Sequence, residues 1–288
     1  NNDSKKRVMR IASYFQITLS FQPENAGELR MRYDEKNEAL FYENPRNMFR
    51  KGWAFSSISI PAEAHETNRG RFFGSGRGGD HPYAVENGRG DTTEYKDSFP
   101  IASFMGTVEV PAGGEVIVGA VLGQADTLEQ ARSVVEEFKD VKTAYQSLDQ
   151  TRSWWLDLMK TLTIETNNKE FDAYQNWLKY QALAERVWAR RGFYQSSGAF
   201  GFRDQLQDRV NLIWVDPSFA RKQIKLHAAH QFIEGDVLHW FFTLPDGRTA
   251  FSCRSHASDN LLWLVWGVVE YVRMTGDETL LDEVTAYM

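Results

Sequence analysis

The chain has 288 residues, 42% hydrophobic and 25% charged, which predicts a globular protein of about two domains and excludes a disordered one. Its net charge of −6, with no basic stripe, argues against a nucleic acid as the main partner, and no window is apolar for long enough to span a membrane. A single cysteine, Cys253, rules out an intrachain disulfide and suits a reducing compartment, so a cytoplasmic location is the expectation.

Residues 1–125 read as a β-sandwich domain. Asn1 to Arg7 lacks the apolar run of a signal peptide, and the first apolar stretch begins at Val8 without a lead-in. Phe15, Ile17, Leu19 and Phe21 alternate with polar residues, the period of a half-buried strand, and Ile58 and Ile60 repeat this on a smaller scale. A long loop rich in Gly, Arg and Asp is expected over 70–90, and Val116 to Leu122 forms an apolar run after the turn signal Pro111 to Gly114. An antiparallel sandwich is the natural container for such strands.

Residues 126–165 read as a helical linker. Thr127 and Gln130 form a capping-box pattern, followed by Ala131, Val134, Val135, Phe138, Val141 and Tyr145 at helical spacing. From 166 to 288 the pattern is helical with short connections. One helix carries Phe171, Tyr174, Trp177 and Trp188 and stops at Gly192. A second starts at Asp216-Pro217, carries Phe219, Ile224, Ala228 and Phe232, and stops at Gly235. A third runs from Asp259 to Thr275 with Ser258 as its cap and Gly276 as its stop, and Asp277 starts another before the chain is cut at Met288. Both ends read as those of a fragment, a processed chain or a split subunit.

Three stretches carry polar groups suited to chemistry. From Gly192 to Asp208, a glycine-rich loop runs into a helix start bearing Arg203, Asp204, Gln207 and Asp208. Arg203 and Gln207, and Asp204 and Asp208, are four apart and share a helix face. Carboxylates accept from vicinal hydroxyls, Arg donates in a fork and Gln does both, which suits a polyhydroxylated ligand. The alternative is a salt-bridged helix N-terminus in which Asp204 answers the helix dipole. In the second stretch, Asp236, His239 and Trp240 fall in a loop that either lines a sugar pocket, with Trp240 as a stacking face, or simply buries aromatics around a core histidine. The third places Arg254, His256 and Asp259 before and at a helix start. His227 and His230 lack a completing ligand set, so no metal site is expected. Gly74 to Gly79 only superficially suggests a phosphate loop, with no apolar strand before it and no helix after it.

Read together, Tyr194 to Asp208, Gln231 to Phe241, Arg254 to Leu264 and Thr275-Gly276-Asp277 with Leu281-Asp282-Glu283 resemble, in order, the YQSGGAYGFRDQLQD, QFxEGDVQHWW, TRxSDDLLWL and TGD…LxE segments of the glycoside hydrolase family 94 phosphorylases. This is the cellobiose and chitobiose phosphorylase and cyclic β-1,2-glucan synthase family. Arg69 to Arg77 is similar to the RxRFxGRG segment that precedes the catalytic domain of the synthases. The resemblance implies an N-terminal antiparallel β-sandwich, a helical linker and the first helices of an (α/α)6 barrel. It implies inverting phosphorolysis or synthesis of β-glucosides, with β-1,2-linked gluco-oligosaccharides the expected substrates. Inorganic phosphate would be the co-substrate, with no other cofactor and no metal. Arg203, Asp204, Gln207, Asp208, Asp236, His239, Trp240, Arg254 and Asp259 would bind the sugar. The general acid of the family's GDWNDG-like segment and its phosphate-contacting residues are expected beyond Met288, so this chain would be catalytically incomplete, completed in a homodimer or by a second chain. It departs from the family pattern at Phe242, His256 and Asn260. Two rivals stand beside this reading: a non-catalytic sugar-binding or structural component, and a related hydrolase or transglycosylase, whose mark would be a second inward carboxylate opposite Asp208.

Overall fold

A computed structural model describes residues 1–20, 29–47, 51–88, 90, 99–184, 198–244 and 247–288. The chain divides into two compact units, Asn1–Gln150 and Thr151–Met288, a division that falls inside the segment assigned above to the linker.

The first unit is built on two antiparallel sheets. In one, the long strand β7 (Pro100–Val110) carries β1 (Arg7–Ala12) and β2 (Phe15–Gln16) along its length and also pairs with β6 (Ala64–Asn68). The other runs β3 (Arg30–Asp34), β4 (Ala39–Glu43), β5 (Trp53–Ile58), β8 (Ala120–Ala125). Side chains alternate across a strand, and both sheets use both faces. Leu40 and Tyr42 of β4 meet Ala102 and Phe104 of β7 in the core between the sheets. Ala39 and Phe41, pointing the other way, pack with Ala131 and Val135 of α3 (Leu128–Phe138). Likewise Ile101 and Met105 of β7 face Phe72 and Ala84 of two short helices, α1 (Arg69–Phe73) and α2 (Tyr83–Asn87). This double burial explains why β4 is apolar at successive positions. Between the sheets the Tyr42 hydroxyl donates to the Ile101 carbonyl at 2.7 Å. The capping box on α3 forms as expected, with the Thr127 side chain accepting from the Gln130 amide and Gln130 reaching back.

Three expectations for this unit need correction. The strand read from Phe15 pairs only over Phe15–Gln16. Leu19 takes φ 44, and its carbonyl is held by the side chains of Asn44 and Asn47, so the chain turns there; Phe21 lies outside the described residues. Val116 and Ile117 are exposed, and the pairing of that apolar run starts only at Ala120. The supposed loop over 70–90 contains most of α1 and all of α2.

The second unit combines helices with a small sheet. α4 (Val141–Lys160) starts in the first unit and ends in the second. α5 (Lys169–Gln181) follows; the expected continuation to Trp188 and Gly192 lies outside the described residues. Then come β9 (Phe200–Gly201), α6 (Phe202–Val210), α7 (Pro217–Ala228), β10 (Leu238–Thr243), β11 (Thr249–Arg254), α8 (Asn260–Thr275) and a 3-10 helix, Glu278–Asp282. The sheet order is β11-β10-β9. Asp216 caps α7 through the Ser218 amide, with Pro217 at its first turn, and Gly276 closes α8 in the left-handed region at φ 70. α7 stops at Ala228, not at Gly235, so Phe232 sits in the following loop; Asp259, not Ser258, occupies the cap position of α8. The stretch around His239 and Trp240, read as a loop, is a strand in the middle of the sheet. Phe202, Leu206 and Val210 of α6, Ala220 and Ile224 of α7, Phe241 of β10 and Leu264 of α8 form one buried cluster.

In the first unit, Gly123 of β8 lies directly opposite Phe55 of β5, and a Cβ at Gly123 would come within 2.5 Å of the Phe55 ring tip. Gly123→Val is expected to force that ring off its seat and destabilise the fold by about 1–3 kcal/mol in urea denaturation, as overpacking does.

Candidate functional site

The polar cluster is assembled by the three-stranded sheet and the two helices that leave it. β9 pairs with β10 through Gly201 against Trp240 and Phe200 against Phe241, and α6 starts at the very next residue. The first turn of α6 is thereby fixed beside β10. On the other edge, Arg254 of β11 pairs with Leu238 while Cys253 pairs with Trp240, so His239 is an extra, bulged residue with no partner across the ladder. A bulge re-aims a side chain, and His239 is turned out to solvent, where it meets the start of α8.

Two guanidinium–carboxylate pairs dominate the site. Arg203 Nη1 bonds Asp259 Oδ2 at 2.9 Å, joining the N-termini of α6 and α8, and Trp263 Nε1 donates to the same oxygen at 3.3 Å. Those bonds, from Trp263 and then Arg203, hold the Asp259 carboxyl below the usual carboxylate range. Arg254 forks onto Asp236, Nε to Oδ2 and Nη2 to Oδ1, both at 2.5 Å, and also reaches Glu234 at 3.2 Å. Its guanidinium lies 3.7 Å over the Phe232 ring. The fork lowers the Asp236 pKa and raises that of Arg254. Between these pairs, Asn260 Nδ2 contacts His239 Nδ1 at 3.1 Å.

Of the nine expected site residues, the structure joins Arg203 with Asp259 and Asp236 with Arg254. His239 is bonded to Asn260, and Trp240 is half-buried on β10, its ring 6.1 Å from that of Phe242. Asp204, Gln207 and Asp208 are half-buried along α6. The salt-bridged alternative for Arg203 is thus partly correct, but its partner comes from α8, far along the chain, and not from Asp204 or Asp208. His239 is not a core histidine. The Asp277 of the last sequence block is tied up differently. Its carboxylate accepts from Thr279, from the Tyr271 hydroxyl at 2.7 Å and from Arg221 at 2.6 Å, and is held below the usual carboxylate range by Thr279 first and Tyr271 next. Arg221 also pairs with Glu283. This network fastens the 3-10 helix to α7 and α8.

His227, considered above only as half of an incomplete metal pair with His230, has a structural place of its own. It is fully buried, its ring 4.8 Å from that of Phe202 and 5.6 Å from that of Phe241. One ring nitrogen faces the Gln223 side chain and carbonyl at 2.9 Å, the other the Gly201 carbonyl at 3.4 Å. It therefore underpins the junction from which Arg203 projects. Its neighbour His230 stacks on Phe241 at 3.8 Å and contacts the Thr249 hydroxyl at 3.0 Å. The only signal in the sequence was the position of His227 on the apolar side of an amphipathic helix. Among the described residues no group of three His, Cys, Asp or Glu side chains is placed to hold a metal ion.

Burial pushes His227 down from its ordinary value near 6.5 to about 4, so the folded state holds it neutral while the unfolded state takes up a proton. Stability should therefore be full above pH 6.5 and fall as the pH drops toward 4, by up to about 3 kcal/mol from this residue. Urea denaturation across that range should show the slope, and His227→Gln should flatten it.

Comparison with known proteins places both units. The glycosyl hydrolase 94 supersandwich domain matches residues 1–141, and the catalytic domain of the glycosyl hydrolase 94 superfamily matches residues 154–288. The chain is 34% identical over 287 residues to the cyclic beta-(1,2)-glucan synthase NdvB of Rhizobium meliloti (strain 1021), covering 98% of this chain and 10% of that protein. It is 26% identical over 224 residues to the 3-O-beta-D-glucopyranosyl-beta-D-glucuronide phosphorylase of Paenibacillus borealis, 77% of this chain and 28% of that one. With the N,N'-diacetylchitobiose phosphorylase of Vibrio furnissii it shares 24% identity over 262 residues, 82% of this chain and 32% of the relative. The chain thus spans a tenth to about a third of these relatives.

Proposed function

The chain belongs to the glycosyl hydrolase 94 superfamily, and from that premise we propose that it forms the sugar-recognising part of an enzyme that makes or phosphorolyses β-glucosides, with β-1,2-linked gluco-oligosaccharides as ligands. The family comprises glycoside phosphorylases and glucan synthases, and the greater identity is to a β-1,2-glucan synthase.

The observation that carries the proposal is the gathering of Arg203, His239, Arg254, Asp236, Asp259 and Asn260 from α6, β10, β11, the loop before β10 and the start of α8. Guanidiniums, carboxylates and an amide lie there, Arg254 forked on Asp236 and Arg203 on Asp259 through one nitrogen, and the half-buried Trp240 follows His239 on the central strand. This is the donor and acceptor mixture that ring hydroxyls need, and in this reading Trp240 offers the face on which the ring stacks. In this reading Arg203, Asp204, Gln207 and Asp208 hold the sugar whose bond changes, and the remaining residues line the same cleft.

The mechanism would be inverting. Phosphate attacks the anomeric carbon directly, one carboxylic acid protonates the leaving oxygen, and no second protein carboxylate is needed because phosphate replaces the water that an inverting hydrolase must activate. Neither the acid nor the phosphate-contacting groups are assigned to residues of this chain; a segment from elsewhere in the enzyme, or a second subunit in a homodimer, would supply them. The helices of the second unit would be the first of an (α/α)6 barrel. That architecture suits α8, whose outer stripe of Leu262, Val265 and Val269 is exposed, as is Trp177 on α5. No helix among the described residues is long and apolar enough to cross a membrane; the reading takes the cytoplasm as its compartment.

A second reading, a sugar-binding component without chemistry, draws on Asn260. A carboxylate stands at that position in the family pattern, whereas here an amide engages His239.

Calorimetry with β-1,2-gluco-oligosaccharides tests the assignment. Saturable binding is expected, weakened about tenfold or more by Arg203→Ala or Asp208→Ala, the loss typical of a hydrogen bond to a charged group. Absence of binding, or binding untouched by both substitutions, would remove the sugar site. Release of glucose 1-phosphate from oligosaccharide and phosphate by the complete enzyme, and not by this chain alone, separates the catalytic reading from the second one.

A further inference from the structure

Two buried residues of α7, Gln223 and His227, lie beneath the polar cluster without entering it. Resting on the sugar reading above, we propose that they are positioning residues for the ligand. The Gln223 amide donates to Nδ1 of His227, and the ring proton this leaves on Nε2 holds the Gly201 carbonyl, the point at which two sides of the cluster meet.

Proton accounting is the first argument. Burial keeps the His227 ring neutral, so it carries one proton on one of its two nitrogens. Nε2 faces the carbonyl oxygen of Gly201 at 3.4 Å, a group that only accepts. A lone pair aimed at that oxygen would repel it, and in a buried place neither group can turn to water instead. The proton therefore sits on Nε2. Nδ1 is then an acceptor. Of its two neighbours at 2.9 Å, the Gln223 carbonyl oxygen and the Gln223 amide nitrogen, only the amide can donate. Gln223 is as buried as the ring, and Nδ1 gives its N–H the acceptor that water cannot supply.

Position is the second. Gly201 is the N-cap of α6, two residues before Arg203, and in the ladder it faces Trp240, the residue after His239. A shift of Gly201 would move Arg203 on one side and Trp240 on the other. As a glycine it has no side chain with which to cap α6 or anchor itself in the core. The imidazole reaches it from α7 instead. The ring has its own seat, edge-on to Phe202 at 4.8 Å and to Phe241 at 5.6 Å. At 3.4 Å the bond to Gly201 is long and weak. Its importance is one of sign: the Nε2 proton attracts the carbonyl where a lone pair would push it away.

Nitrogen NMR of the chain and calorimetry with β-1,2-gluco-oligosaccharides test the proposal. In the wild type the proton is expected on Nε2. In Gln223→Leu it should move to Nδ1, which is then left with the carbonyl of residue 223 as its partner. Trp263 gives a readout that needs no sugar, because its indole N–H shares the Asp259 oxygen with Arg203. That indole resonance should shift in Gln223→Leu and in His227→Asn, whose amide reaches only as far as Nδ1. His227→Gln sets an N–H where Nε2 stood and should restore it. Oligosaccharide affinity should fall about tenfold in the first two variants and stay within about threefold in His227→Gln. A merely structural role predicts instead that affinity follows the thermal midpoint, with Gln no better than Asn. That result, a wild-type proton on Nδ1, or an unmoved Trp263 resonance in both Gln223→Leu and His227→Asn would overturn the proposal. If the wild type binds no oligosaccharide, the sugar reading falls, and the Trp263 resonance still decides whether the pair positions Arg203.

Discussion

Two residue pairs of backbone ladder hold the second unit's polar cluster together. Phe200 and Gly201 pair with Phe241 and Trp240, and the helix bearing Arg203 begins immediately afterwards. Together with the burial of Phe202 and Leu206 against Phe241 and Leu264, that pairing sets the start of α6 relative to β10 and the start of α8. The pairing is backed from beneath by aromatic packing: Phe200 stacks on Phe241 at 5.4 Å, His230 on the same ring at 3.8 Å, and His227 sits edge-on to Phe202 with a ring nitrogen facing the Gly201 carbonyl. A hydrophobic core thus sets the position of a polar surface, and the buried histidines belong to the core side of that division.

The local signals were legible and the non-local ones were not. The Thr127–Gln130 box, the Asp216-Pro217 start and the Gly276 stop each depend on a few adjacent residues, and each is where its sequence pattern puts it. The strand at Leu238–Thr243 was hidden for a physical reason. A bulge at His239 breaks the alternation of sides, and three aromatics in a row suit a strand with one side on the core and the other half-covered. α1 and α2 have five residues each, too short for helical periodicity to register. At the site, residue types and their clustering were readable, because carboxylate, guanidinium and amide at helical spacing announce themselves. Their partners were not: Arg203 finds Asp259 56 positions away and Arg254 finds Asp236 18 away, choices made by the sheet and not by the helix that carries them.

Asn260 shows how a departure from the family pattern is to be understood physically. An acid in its place would set a second negative charge at the helix start, facing His239. The amide offers a neutral partner 3.1 Å from the ring nitrogen and removes a negative charge from a helix start that already carries Asp259. The change alters the charge at the start of α8 while a polar contact to His239 is present.

The two arginines of the cluster are held in different ways. Arg203 and Asp259 are each nearly half-exposed, and they meet through one guanidinium nitrogen. Such a pair is screened by water and contributes little to folding. Arg254 is clamped on three sides, by both oxygens of Asp236, by Glu234 and by the ring of Phe232. Exchanging that set would break several geometrically coupled contacts at once, which fits a fixed wall better than a hand that closes on a substrate. Arg203 is therefore the more loosely held of the two, with one contact to exchange where Arg254 has several. The strand pairing and the core packing of Phe202 and Leu206 behind it, and not the salt bridge in front, hold α6 in place.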